Sequence, residues 1–504
     1  MTTNLPATEN VFPPRTQTLF LALILLLAIG PRLLHLDHAS LWLDEVMSVL
    51  RARPTPKAGA GDVIQAVAKH DAHPPLYYLL LHPFIQKDEH ARSPFMIRLP
   101  SALVGILSVS IFFAIARIGL PPPWAFWATL LFASNAFQIY FSREARHYVL
   151  ATFLILLAQF AFLMAMQKPR ARGFWILYGL SITLAGYTFY YTLFLPFCHL
   201  LTCIQKPEWR SRLRPLISTW TSSAFLLLPW IGTVTLNRLE LAKESAVGWS
   251  FPYHTWSLPE AFLQFFTSPT WEVQNHVGLQ CMALALSLLL LSSAITALRL
   301  RPIFGVSTVL WAFLPLALIV LIPVQGHQFD SKHLAFTAPA HILLVCALLS
   351  KSPSRLFASF LFVTLLLLNV ISSSELLSPS FEKEDWNRVA EYIYEEEKSS
   401  FAITTAPDYL LHPLGHALRR NIHLQDSRPE TRIPLLLRPD DPRLSQRPQI
   451  LVLATPFSPV APLSPWIDEL HSRLSASHRL VQRQEIPANR KEGFIHLFTW
   501  TKKP

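Results

Sequence analysis

Charge is scarce in this chain. Only 15% of its 504 residues are Asp, Glu, Lys or Arg, where a water-soluble domain carries about 25%. That shortage excludes an ordinary soluble enzyme. Cysteine is scarcer still. Cys198, Cys203, Cys281 and Cys346 all lie in apolar runs and none occurs in the C-terminal region. They read as small buried hydrophobes, not as a disulfide or zinc framework. No glycine-rich phosphate loop, Cys/His metal spacing or Gly-x-Ser-x-Gly elbow occurs, which removes support for a cytosolic nucleotide site. There is no internal repeat. Apolar sequence is what the chain has in abundance, 51% of it. Several runs reach roughly 18 apolar residues, enough to cross a bilayer.

The formal net charge of +11 does not point to nucleic acid. From Glu375 onward the chain has 17 basic and 17 acidic residues, while the first 374 residues hold 26 basic and 15 acidic. The excess belongs to the apolar part, where it sets orientation. No basic module interleaved with aromatics accompanies it.

The hydrophobic pattern predicts a polytopic α-helical membrane protein of about eleven spans: 17–36, 98–117, 123–141, 147–167, 174–189, 190–205, 214–236, 278–298, 303–323, 334–350 and 355–374. The first lacks a small-residue cleavage site after it and reads as a retained anchor. Residues 76–86 are apolar but short and are broken by His82-Pro83. At 1.5 Å per residue they fall well below a hydrocarbon core of roughly 30 Å, so they read as a juxtamembrane or re-entrant helix. The charges agree. Basic residues gather at Arg117, Lys168 to Arg172, Lys206 to Arg214, Arg299 to Arg301 and Lys351 to Arg355. Acids collect on the opposite side, including Asp37, Asp44, Glu45, Asp62, Asp71, Glu144, Glu272 and Asp330. Counting 76–86 as a span would put the basic clusters outside, against the positive-inside rule.

Two domains are expected. Residues 1–374 form a transmembrane catalytic domain with a large first outer loop, 37–97, and residues 375–504 form a small extracytoplasmic α/β domain. In the latter, Glu384 to Glu397 and Ser464 to Arg479 have helical spacing. Phe401 to Thr405, Gln449 to Ala454 and Gly493 to Trp500 read as strands, with Pro-rich connectors over Arg428 to Pro448.

Four clusters share the outer face. Asp44 and Glu45 follow the first span. A carboxylate there takes a proton from a hydroxyl held within hydrogen-bond reach, and the pair also makes a divalent-metal ligand set, so metal use stays open. As an alternative, the two acids cap the helix that starts beside them. His73-Pro74-Pro75-Leu76-Tyr77-Tyr78 places a histidine before a proline-started helix, where backbone N–H groups favour anions; its aromatics also suit a lipid–water interface. Ser142-Arg143-Glu144-Ala145-Arg146-His147-Tyr148 offers two guanidiniums three residues apart. Such groups suit phosphate, or snorkel to headgroups. Lys332 and His333 add positive charge before a late span.

The order of these motifs resembles the GT-C membrane glycosyltransferases, within them the branch of protein O-mannosyltransferases, the aminoarabinose transferase of lipid A and bacterial Rgt-like enzymes. The resemblance is carried by Asp44-Glu45, His73 to Tyr78, Arg98-Leu99-Pro100-Ser101-Ala102-Leu103 and Ser142 to Tyr148. It is good over about residues 20–205 and looser to about 374, with a weaker likeness in Lys383 to Ala390. It implies inverting transfer of a sugar from a polyprenyl-phosphate donor to a glycan, lipid or protein hydroxyl at the non-cytoplasmic face of a bacterial inner membrane. Asp44, beside Glu45, would orient or deprotonate the acceptor. Arg146, with Arg143, Lys332 and His333, would hold the donor phosphate, and His73, Tyr77 and Tyr148 would position substrate. No redox or carbanion cofactor is needed. Two departures stand out. Where relatives show Pro-Arg-Tyr this chain reads Ser331-Lys332-His333, and Val149, Leu150 and Ala151 follow Tyr148 where protein mannosyltransferases carry an acid. The rival class is a transporter or flippase for a lipid-linked solute. Such proteins place charge at mid-membrane, whereas here most span interiors lack acids. A non-catalytic subunit is the third reading.

Overall fold

The computed structural model describes residues 14–86, 93–241, 255–274, 276–299, 302–321, 330–378, 381, 385–395, 402–406, 411–424, 435–454, 465–487 and 494–503. Expectations for Leu300, Arg301, Ile322, Pro323, Lys383, Glu384, Glu396, Glu397, Phe401, Arg428 to Pro434, Ser464 and Gly493 lie outside the described residues. The chain forms two compact units. One contains residues 1–34, 58–82 and 98–377; the other contains 35–57, 83–97 and 378–504. Residues 37–97, expected as the first outer loop, are thus divided between them.

Six helices among the described residues are long and apolar enough to span a membrane. They are Pro94–Gly119, Tyr148–Gln167, Val277–Leu298, Pro302–Val320, Ser331–Leu349 and Arg355–Leu377; Gln17–Leu33, Leu76–Ile85 and Tyr190–Ile204 are shorter apolar helices. Six is fewer than the eleven expected, for local reasons. The stretch 123–141 is not one helix. It divides into Pro122–Ala133 and Ala136–Ser142, because Asn135 caps the second piece by accepting from the Gln138 backbone N–H at 3.1 Å. Its Nδ2 donates to the Phe265 carbonyl and to Asn369 Oδ1. The spans expected at 174–189 and 190–205 do meet at a break, Tyr187 to Phe189, but their helices, Arg172–Gly186 and Tyr190–Ile204, are short. Leu213–Leu241 is long, but Thr219, Thr221, Ser222 and Ser223 dilute its apolar run.

Leucine and phenylalanine side chains such as Leu288, Leu356 and Phe360 remain exposed on these helices, as a surface meeting lipid requires. Inside, one set of polar groups is joined in a chain. Trp220 Nε1–H donates to Tyr178 Oη, whose hydroxyl meets His199 Nδ1 at 3.0 Å; His199 Nε2 meets Gln159 Oε1 at 2.7 Å, and Gln159 Nε2 donates to Ser307. The chain of bonds ties five helices together where no water could satisfy them.

The second unit holds the helix Leu43–Ala52, which packs against Leu411–Leu424. It also contains a five-stranded sheet, β1 (Ala402–Ala406), β2 (Leu435–Leu436), β3 (Gln449–Ala454), β4 (His478–Pro487) and β5 (Phe494–Lys502). The order is β2-β1-β3-β5-β4. β1 runs parallel to β2 and β3, while β5 is antiparallel to β3 and β4. Alternate residues face opposite ways. Ile403, Leu451, Leu453, Ile495 and Leu497 pack with Trp386–Glu395 and Leu411–Leu424, whereas Ala402, Ile450, Val452, Phe498 and Trp500 pack with Leu470 and Leu474. The helix expected over Ser464 to Arg479 ends at Ser475, and His478 opens β4. Residues Arg479 to Glu485 are mostly polar because β4 is an edge strand. Leu411–Leu424 was not anticipated.

Candidate functional site

In the first unit, Leu76 N–H donates to the Tyr187 carbonyl at 3.0 Å. That bond joins the segment carrying His73 to the turn carrying Phe189. The helix Tyr148–Gln167 packs against the 3₁₀ helix Ser331–Thr337, which brings in Lys332 and His333. Three segments remote in sequence therefore meet around one imidazole. The His147 ring centroid lies 4.3 Å from His73, 4.6 Å from Phe189 and 4.3 Å from Tyr148. His333 closes the far side, 6.3 Å from Phe189 and 5.8 Å from Tyr191. The Arg146 guanidinium lies 6.0 Å from the Tyr148 ring centroid, within cation–π range.

Asp71 organises one side of this group. Its Oδ1 accepts from both the backbone N–H and Nδ1 of His73, each at 2.9 Å. A carboxylate only accepts, so the His73 proton sits on Nδ1. Burial works against the Asp71 charge, but the His73 hydrogen bond and the charges of His73 and Arg146 outweigh it and hold the pKa below the usual carboxylate range. His147, just before the span, moves the other way. Burial first, then the charges of His73, Arg146, His333 and Lys332, keep its pKa well below that of a free imidazole. Lys332 Nζ pairs with Asp330 at 3.3 Å, and Asp330 caps the 3₁₀ turn by accepting from the Lys332 backbone N–H.

The other expected residues have separate settings. Residues 143–147 form turns and not a helix, so Arg143 and Arg146 do not share a helical face. Arg143 Nη1 donates to the Pro31 and Leu34 carbonyls, at the end of the helix Pro14–Leu33. Burial and then Arg98 lower its pKa to about 10, and it stays charged near neutrality. Tyr77 is buried with its hydroxyl 2.8 Å from Ser101 Oγ. Tyr148 is buried beside Phe141 and His147. Asp44 and Glu45 occupy the first turn of Leu43–Ala52 in the second unit, Asp44 half-buried and Glu45 buried. Among the described residues no group of three or more His, Cys, Asp or Glu side chains is arranged to hold a metal ion. Sequence reasoning passed over Asp71, His147, Phe189 and Tyr191. His147 lay inside a recognised motif, but nothing in its sequence setting marks its burial.

Comparison with solved structures fits this arrangement of helices. ArnT from Cupriavidus metallidurans in the apo state superposes with a TM-score of 0.58 at 12% identity, covering 95% of this chain and 97% of that one. The same protein bound to undecaprenyl phosphate gives 0.56 at 12% identity, with 96% and 98% covered. The chain has the GT-C fold. Arabinofuranosyltransferase AftD from Mycobacteria, another GT-C structure, gives 0.50 at 14% identity over 98% of this chain and 42% of that one. Residues 72–233 match the family described as dolichyl-phosphate-mannose-protein mannosyltransferase. That match includes His73, Arg143, Arg146 and Tyr148 and excludes Asp44 and Lys332. No curated relative matches in sequence.

Proposed function

We propose that this chain is an inverting membrane glycosyltransferase. It moves a hexosyl or pentosyl group from a polyprenyl-phosphate carrier to a hydroxyl of a glycolipid, polysaccharide or protein, at the non-cytoplasmic face of a bacterial inner membrane. One observation carries the reading. On a GT-C fold, segments distant in sequence set His73, Arg146, Lys332 and His333 around one aromatic–imidazole cluster. Donors of positive charge grouped in that way suit a phosphate.

The chemistry follows from where charge develops. As the acceptor oxygen attacks the anomeric carbon, the bond from that carbon to the phosphate oxygen breaks and its electron pair stays on the phosphate. Fixed cationic groups lower the energy of that growing charge, commonly the largest catalytic contribution. Arg146 supplies a permanent charge, with Lys332 and His333 beside it. Arg143 adds to the local field while holding a helix end. Asp44 takes the acceptor proton, and Glu45 supports it from the same helical turn. His73, fixed by Asp71, and Tyr148 position the donor, and Tyr77 holds the helix that follows His73. The isoprenoid lies in an apolar groove between spans. Residues 375–504 form an extracytoplasmic domain.

The test is mass spectrometry of glycolipids and glycoproteins from cells carrying wild type, Asp44→Asn or Arg146→Ala at equal expression. Transfer should fall about 10²- to 10³-fold in each variant. Full transfer by Asp44→Asn would remove the enzyme reading and favour the transporter.

A further inference from the structure

His147 has no role in that scheme. It is buried to 1% exposure, and neither Nδ1 nor Nε2 has a hydrogen-bond partner among the described residues. Leaving two ring nitrogens idle inside a protein is costly, and a ligand that bonds them recovers the cost. The surroundings say what kind of ligand. Four groups act on His147 with positive charge, His73, Arg146, His333 and Lys332, while the rings of His73, Tyr148 and Phe189 wall it in. The acids of the adjoining segments are Asp71, bonded to His73, Asp330, paired with Lys332, and buried Glu144 on the same turn. Tyr148 and Tyr191 are the nearby phenols. A field of this sign suits an anion.

We propose that His147 binds the phosphate of the lipid-linked donor, and that phosphate binding draws a proton onto the His73–His147 imidazole pair. The inference rests on the functional reading above. Two imidazolium rings with centroids 4.3 Å apart, with Arg146 and Lys332 also acting there, repel each other, so the empty site disfavours a second proton. An anion bonded to the edges of both rings reverses that preference. The proton comes from solvent, and both rings then offer N–H donors to phosphate oxygens. The benefit grows during transfer. The donor is a phosphodiester with one negative charge, and the released lipid phosphate is a monoester able to carry two. The second charge forms as the sugar–oxygen bond breaks, beside the pair that has just gained positive charge.

The experiment uses the purified full-length protein in detergent with farnesyl phosphate as probe. Titration calorimetry at one pH, in buffers of different ionisation heat, counts the protons taken up on binding; repetition from about pH 6 to about pH 8 covers the histidine range. Wild type should take up protons. His147→Gln keeps a hydrogen-bond donor but cannot titrate. It should melt at the wild-type temperature, bind about tenfold more weakly and take up markedly fewer protons, with a flatter dependence of Kd on pH. His73→Gln should also reduce the uptake. Should His147→Gln not fold, His147→Asn serves in its place. Equal Kd and equal proton counts in wild type and the His147 variant, with binding lost in Arg146→Ala, overturn this inference and leave the functional reading standing. A wild-type protein that does not bind farnesyl phosphate overturns both.

Discussion

Asp71 Oδ1 receives two hydrogen bonds from a single residue, through the backbone and the ring of His73, and so sets both the position and the tautomer of that imidazole. Asp71→Asn keeps the shape and removes the charge. A hydrogen bond to a charged group contributes about 1.5–3 kcal/mol, so transfer should drop about 10- to 100-fold while expression holds. The pH dependence has a definite sign. The folded-state pKa of Asp71 lies below its unfolded value, so its stabilisation is present above the ordinary carboxylate pKa, about 3.9, and is lost as pH falls through the depressed folded value. Melting curves of wild type and Asp71→Asn should therefore stay separated through the neutral range and converge only in strong acid. Much of this site was legible as residue types in order: His73, Arg146, Lys332 and His333 stood out as polar groups flanking apolar runs. Asp71 did not, since it read as one outer-loop acid among several. Its importance comes from burial, which packing by distant segments decides.

Apolar length was legible at the scale of the element, but the breaks within it were less so. The stretch 123–141, expected as one span, is divided at Asn135, whose partner Asn369 is 234 positions away. Local pattern reading has no access to such a partner. The bond also explains why the break is stable. Asn369 Oδ1 accepts from both Asn135 Nδ2 and the Ala136 backbone N–H, at 2.9 and 3.0 Å, while its own Nδ2 donates to Leu365. Asn369→Leu leaves those donors buried without that acceptor, at about 1–3 kcal/mol each. Thermal unfolding in detergent should shift to lower temperature, and an unchanged melt would count against this account of the junction. Helix Leu76–Ile85, by contrast, was readable from its short length, although it continues through His82-Pro83, where a break was expected.

For the whole molecule, the order of motifs along the chain pointed to the GT-C fold, and the superposition on ArnT agrees. Sequence did not reveal that residues 37–97 are divided between two compact units. The helix bearing Asp44 buries Glu45, Val46, Ser48, Val49 and Ala52, and packs against Leu411–Leu424. A chain ending at Leu377 keeps Asp44 but lacks that support. Such a truncation should insert its apolar helices, lose transfer and become open to tryptic cleavage after Arg51. Protection of that bond in the truncated protein would contradict the shared core. There is also a consequence for biosynthesis. The ribosome releases residues 35–57 long before 411–424, so the helix that carries the acid waits, unsupported, until that later segment emerges. A nascent protein stalled before then is therefore expected to be inert, which delays any chemistry until residues 411–424 have been made.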